Sequence, residues 1–184
     1  VYISDPSEVL RRYPHQLSGG MRQRVLIALA LSGSPKLMIA DEPTTALDVT
    51  VQMRTIELLR ELIEREGMSG LFITHDLGVA RAICARTYVM YAGAMVDSAP
   101  TPELLEAPLH PYTRGLVAAV PGLERRLPQP IPGSVPDYLA PPQGCRFAPR
   151  CGQAMARCRA APSLAPHAPS RAVACWLHEA AETA

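Results

Sequence analysis

The sequence predicts an α/β fold: helices around a parallel sheet, followed by a Pro-rich, cysteine-containing carboxy-terminal extension. Three observations carry this. Apolar residues in the first half alternate between helix-like and strand-like periodicity. Two continuous apolar runs, residues 36–40 and 70–74, end at polar side chains, as buried parallel strands do. Proline divides the chain: four of the 19 prolines precede residue 100 and 15 lie from Pro100 onward, where loops should replace regular structure.

The elements follow in order. Residues 5–16 read as a short helix with a polar end. Ser18 stands where an N-cap belongs, ahead of the apolar-periodic run 21–31, and Gly33-Ser34-Pro35 stops that helix. Residues 36–40 form the first buried strand, ending at Asp41-Glu42. Residues 50–66 form a helix with Ile56, Leu59, Leu62 and Ile63 on one face and Gly67 as the residue that closes it. Residues 70–74 form a second buried strand, with His75 just beyond. Residues 78–85 are expected to be helical, with Cys84 a small buried hydrophobe. Residues 88–91 and 94–97 read as a hairpin about Ala92-Gly93. Two short helical pieces, 102–106 and 112–119, precede a Pro-rich spacer over 121–142.

Composition removes several function classes. The 18 basic and 17 acidic residues leave a net charge of +1, and two Phe and one Trp give little base-stacking surface, so nucleic acid is not expected as a partner. The longest apolar stretch, 25–31, is far short of the roughly 20 residues that cross a bilayer. Residues 1–5 lack the features of a signal peptide. With no initiator Met, the chain is expected to be a piece of a longer protein, or a truncated product, and cytosolic. Its cysteines then favour metal or cluster chemistry over disulfides.

The strand ends hold the candidate chemistry. Ser18-Gly19-Gly20 at a helix start offers free N–H groups and a helix dipole suited to phosphate. Taken alone it is equally an ordinary Ser cap with a flexible Gly pair. Asp41-Glu42 lies where α/β sheets bind ligands: an Asp there can hold Mg²⁺, and a following Glu can polarise a water for attack on phosphorus. His75 follows the second strand by the same logic, against the bland reading of a structural histidine.

Together these runs resemble the ABC ATPase family. Leu17-Ser18-Gly19-Gly20-Met21-Arg22-Gln23 resembles its signature, Leu37-Met38-Ile39-Ala40-Asp41-Glu42 its Walker B strand, Ala46-Leu47-Asp48 its D-loop and Ile73-Thr74-His75-Asp76 its switch loop. The resemblance implies a partial P-loop NTPase sheet and assigns roles. Glu42 is the catalytic base or water-orienting residue, and His75 contacts the γ-phosphate. Asp41 serves Mg²⁺. Ser18, Gly19, Gly20 and Gln23 belong to the signature that meets ATP held mainly by a second subunit, and Asp48 crosses that interface. No Gly-x-x-x-x-Gly-Lys-Ser/Thr loop is present in these residues, and neither are the family's A-loop aromatic and Q-loop Gln. The polypeptide alone is therefore expected not to hydrolyse ATP.

The second half narrows the resemblance. Pro102-Glu103-Leu104, His110-Pro111-Tyr112-Thr113 and the run from Gly144 to Cys151, with Cys158 and Cys175, resemble the extension of oligopeptide/dipeptide (and nickel) importer ATPases. This implies residues 1–99 as the carboxy-terminal part of the ATPase domain, 100–143 as a helical and Pro-rich connector, and 144–184 as the cysteine-containing extension. It also implies a peripheral place on the cytoplasmic face of the inner membrane. The implied partners are a second ATPase subunit, two permease subunits and, indirectly, an extracytoplasmic solute-binding protein.

Cys145, Cys151, Cys158 and Cys175 suit either tetrahedral Zn²⁺ or a [4Fe–4S] cluster. Tight C-x₂₋₄-C knuckles of zinc ribbons are absent, and the wider spacing suits a cubane better; some members of the resembled family carry such a cluster. His167 and His178 are spare donors expected to be solvated. Two rival functions stand beside peptide import. One is a non-catalytic remnant or metal-binding module, and the other a soluble ABC ATPase of DNA repair or translation.

Overall fold

A computed structural model describes residues 1–45, 48–120 and 130–178. Two positions of the expected D-loop, Ala46 and Leu47, and residues 121–129 of the Pro-rich spacer lie outside the described residues. The chain forms two compact units, Val1–Cys84 and Ala85–Ala184.

The first unit is α/β. Its elements are α1 (Pro6–Val9), α2 (Gly19–Leu31), β1 (Leu37–Asp41), α3 (Val49–Glu66), β2 (Ser69–Ile73) and α4 (Leu77–Ile83). β1 and β2 pair in parallel, with Leu37 opposite Ser69 and Asp41 opposite Ile73. Side chains alternate across a strand, so the even-numbered positions share one face. On that face Met38 and Phe72 pack with Ile27, Leu58, Leu59, Leu62 and Met68. The expectation of strands buried on both faces is not met: Leu37, Ile39, Leu71 and Ile73 are exposed on the other face. The sheet has two strands, and the core cluster of this unit lies on one side of it.

α3 runs over the length its apolar face predicts. Asp48 caps its start and Gly67, at φ +63°, closes it. The single helix expected over 5–16 is instead α1 followed by a 3₁₀ turn at Pro14–Gln16. Pro14 has no N–H to donate and disfavours helical backbone at Tyr13, so the helix cannot continue through it.

The second unit is an antiparallel sheet with short helices. It comprises β3 (Arg86–Tyr91), β4 (Ala94–Pro100), α5 (Thr101–Glu106), α6 (Pro111–Ala118), β5 (Ala165–Ala168) and β6 (Arg171–Val173). The sheet order is β3-β4-β6-β5. The expected hairpin is present, and Ala92 and Gly93 both have positive φ, which a two-residue turn of this twist requires. β5 and β6 were not expected. They have four and three residues, with a proline inside β5, so they carry almost no strand signal.

Val89, Tyr91, Val96, Leu104 and Phe147 form the core of this unit. Phe147 meets Tyr91 edge-on at 5.1 Å. Arg150 ties the described end of the spacer to this core. It donates to the carbonyls of Pro132 at 2.7 Å and Ile131 at 3.0 Å and to the Tyr91 hydroxyl at 3.3 Å. Cys84, at the end of the first unit, is only half-buried, short of the buried position expected, and burial raises its thiol pKa.

Two substitutions test this packing. Leu62 is fully buried, so Leu62→Ala should cost about 2–5 kcal/mol in urea unfolding. Gly144 has φ +78°, and an added Cβ would stand 2.4 Å from the Cys158 carbonyl oxygen. Gly144→Ala should therefore lower the melting temperature, whereas Gly152→Ala, which meets nothing within 4 Å, should leave it nearly unchanged.

Candidate functional site

The first candidate site forms where β1 and β2 end. Glu42 takes φ +46°, a strained left-handed conformation for a residue with a side chain. Its N–H donates to the Ile73 carbonyl at 2.9 Å, extending the parallel pairing one step past the strand. The carboxylate is then engaged from both sides. Oε1 accepts from the His75 backbone N–H at 3.1 Å and from His75 Nδ1 at 2.7 Å. Oε2 accepts from the Thr45 hydroxyl at 3.1 Å.

This pairing shifts both groups. The hydrogen bond from His75 holds the Glu42 carboxyl below its ordinary range, and the hydrogen bond to Glu42 raises the His75 pKa. The His75 ring is 84% exposed, so water and salt screen the contact. It orients two side chains without locking them.

The neighbouring residues fix the loops. Asp76 caps α4 by accepting from Gly78 N at 2.7 Å, and accepts from Gln52 Nε2 at 3.1 Å. Asp48 accepts from Val51 N at 2.9 Å as the cap of α3. Ser18 caps α2 through Met21 N at 3.3 Å, and Gly20 leaves 3.3 Å between a would-be Cβ and Val51. Gln23 Nε2 donates to the Pro43 carbonyl at 2.8 Å, tying α2 to the turn after Glu42.

Glu42 and His75, 33 residues apart in sequence, are thus in direct contact. Asp41 is exposed, and its side chain shares the open sheet face with Ile39 and Ile73. No hydrogen bond among the described residues joins Ser18, Gly19, Gly20 or Asp48 to Glu42 or His75. Thr45 is not singled out by the sequence, and Asp76 appears there only as part of the switch-loop run, without its capping role. Asp76 carried a readable signal, an Asp directly before an apolar helical run; Thr45 carried none.

The second candidate site lies in the second unit. Cys145, Cys151, Cys158 and Cys175 line one pocket, together with His110, Phe147 and Trp176. Backbone contacts gather them. Cys145 N–H donates to the Cys158 carbonyl at 2.9 Å, and Gly144 packs directly on the Cys158–Arg159 backbone. Trp176 Nε1 donates to the Ala160 carbonyl at 3.0 Å, and Arg157 lies over its ring at 4.2 Å, bringing Cys175 to the same place. Burial raises the thiol pKa of Cys145 and of Cys175.

Among the described residues, no three His, Cys, Asp or Glu side chains stand close enough to share one metal ion. Neither the [4Fe–4S] cluster nor the zinc expected at the four cysteines finds a formed site among the described residues. The role expected for His178 also changes. Its Nε2 donates to the Leu109 carbonyl at 3.0 Å, and its ring packs edge-on against His167 at 5.2 Å. His110 was not expected at the pocket at all. Among the described residues, no helix is long and apolar enough to cross a membrane.

Comparison with known proteins agrees with both halves. Residues 2–45 match the family described as "ABC transporter", and residues 96–158 match "Oligopeptide/dipeptide transporter, C-terminal region". The chain is 50% identical over 182 residues to the Bacillus subtilis oligopeptide transport ATP-binding protein AppD, covering 97% of this chain and 56% of that protein. It is 47% identical to the B. subtilis dipeptide transport ATP-binding protein DppD, covering 97% of this chain and 54% of that one. The chain thus spans about half the length of these curated relatives. A solved inward-facing structure of a putative metal-chelate type ABC transporter superposes with a TM-score of 0.53 at 29% identity, over 61% of this chain and 43% of that one. The chain is thus similar over nearly its whole length to oligopeptide and dipeptide transport ATP-binding proteins, with the ABC transporter match at residues 2–45 and the transporter C-terminal match at residues 96–158.

Proposed function

We propose that this chain supplies the signature and the water-activating side chain of an ATPase that powers an ABC importer of peptides. The observation that carries the reading is the Glu42 carboxylate at the end of β1, held 2.7 Å from His75 Nδ1 at the end of β2. Glu42 has the position and ionisation of a base toward a water attacking phosphorus. His75 is exposed and weakly held, so it is free to exchange Glu42 for a phosphate oxygen. Asp41 at the open strand end suits Mg²⁺, which would neutralise charge on the transferred phosphoryl group. The N–H groups of Gly19 and Gly20, with the Ser18 hydroxyl, suit an anion brought by another subunit. Gln23 positions that helix start against the Pro43 turn, and Asp48 stands at the neighbouring helix start.

The implied assembly is two such ATPase subunits, head to tail, on two permease subunits at the cytoplasmic face of the membrane, supplied by a solute-binding protein. Residues 1–99 belong to the ATPase domain, 100–143 to the connector and 144–184 to the extension. We assign Cys145, Cys151, Cys158 and Cys175 to a [4Fe–4S] cluster. What supports the assignment is that all four cysteines line one pocket and that their wide sequence spacing lacks the tight knuckles of zinc ribbons. When bound, such a group can supply electron transfer or a covalent clamp on a loop-rich segment.

Two experiments test the catalytic reading. The 184-residue chain alone should show no ATP turnover. Joined behind the phosphate-loop portion of a curated relative, it should hydrolyse ATP, and Glu42→Gln should lower kcat by about 100-fold or more. Turnover by the chain alone, abolished by Glu42→Gln, would refute the division of labour. The second experiment follows the His75 ring by NMR. Its pKa is raised by Glu42, so it should hold its proton to higher pH than in Glu42→Gln, and the paired state should fade as pH rises through the raised value. Identical titrations would dissolve the pair.

A further inference from the structure

Gln52 has no part in the chemistry above, yet it joins the two helix starts beside the Glu42–His75 pair. It lies in the first turn of α3, where its backbone N–H donates to the Asp48 carbonyl at 2.8 Å. Its side-chain Nε2 donates to Asp76 Oδ2 at 3.1 Å, across 24 positions of sequence. Both residues are half-buried. A carboxylate only accepts, so the Gln52 amide must turn its nitrogen toward Asp76. Hydrogen bonds to a charged group are stronger than neutral ones.

The other atoms of Asp76 are engaged as well. Oδ1 accepts from Gly78 N at 2.7 Å and from Val79 N at 3.4 Å, which leaves Oδ2 to Gln52. Its backbone N–H donates to the Thr74 hydroxyl oxygen at 3.1 Å, closing a turn with His75 at its centre. From that turn the His75 N–H and Nδ1 both reach Glu42 Oε1. The His75 ring is exposed, so the direction in which it leaves the backbone decides whether it meets Glu42. Asp76 anchors the turn to α4, where Leu77, Val79 and Ala80 are buried, and Gln52 anchors the same turn to α3.

We propose that Gln52 is a positioning residue for hydrolysis, holding the turn of Thr74 and Asp76 so that His75 meets Glu42. The kinetic consequence rests on the roles given above to Glu42 and His75; the placement of His75 does not.

Reversing the bond tests this. Gln52→Glu removes the donor and sets a second carboxylate against Asp76. Adding Asp76→Asn restores the bond with donor and acceptor exchanged, because the Asn oxygen can still cap α4 while its nitrogen donates to the new carboxylate. In the 184-residue chain, exchange of the His75 amide proton, followed by NMR, should quicken several-fold in Gln52→Glu and return toward wild type in the double variant. An added negative charge by itself slows base-catalysed exchange, so quickening reports the loosened bond to Glu42. In the fusion to a phosphate-loop portion, Gln52→Glu should lower kcat by about 10-fold with KM little changed, and the double variant should recover most of it. Unchanged His75 exchange in Gln52→Glu, or no recovery in the double variant, would overturn the proposal. So would a kcat that Glu42→Gln lowers and Gln52→Glu does not. A fusion that Glu42→Gln fails to impair would strike the hydrolytic reading instead, and His75 exchange would still decide whether Gln52 places that residue.

Discussion

The register of β1 against β2 is the constraint on which the first site depends. Asp41 lies opposite Ile73, so Glu42, one residue past β1, and His75, two residues past β2, emerge close together. A slip of one residue would turn Met38 and Phe72 away from their core and separate the two side chains. The buried face of Met38, Leu59 and Leu62 thus fixes chemistry at the strand ends that none of those side chains touches. The strained backbone at Glu42 and the bond from Glu42 N to the Ile73 carbonyl complete the geometry.

In the second unit, aromatic packing does the corresponding work. Phe147 lies between Cys145 and Cys151 in sequence and inserts among Tyr91, Tyr112 and His110. The loop carrying the thiols is therefore anchored to the sheet by Phe147, by Arg150 on the Tyr91 hydroxyl and by Arg146 on the Ala92 carbonyl, while Gly144 lets it approach the Cys158 backbone. Few backbone groups in this loop belong to helices or strands. Short turn bonds such as Ala148 N to the Cys145 carbonyl, at 3.0 Å, satisfy them instead.

Much of this was legible in the residues. The Ser18 and Asp41-Glu42 positions, the 18-residue helix α3 and the Ala92-Gly93 turn all carry strong local signals of capping, periodicity or turn chemistry. The helix break at Pro14 is equally readable from the proline itself. Strands β5 and β6 were not legible, because the pairing of β6 to β4 and of β5 to β6 is decided by tertiary contact and not by propensity. His110 illustrates the limit most clearly. Its sequence neighbours mark a helix start, but its approach to thiols 35 and more positions away depends on Asp97 and Phe147 placing it there.

The open face of the parallel sheet has a practical consequence for handling the molecule. Leu37, Ile39, Leu71 and Ile73 form a contiguous greasy panel, beside strands whose outer edges have no neighbour among the described residues. Such a panel is a template for self-association. Concentration, detergent and the choice of fusion partner will therefore govern whether the polypeptide stays monodisperse in a tube. Light scattering belongs beside every enzymatic or spectroscopic measurement made on it.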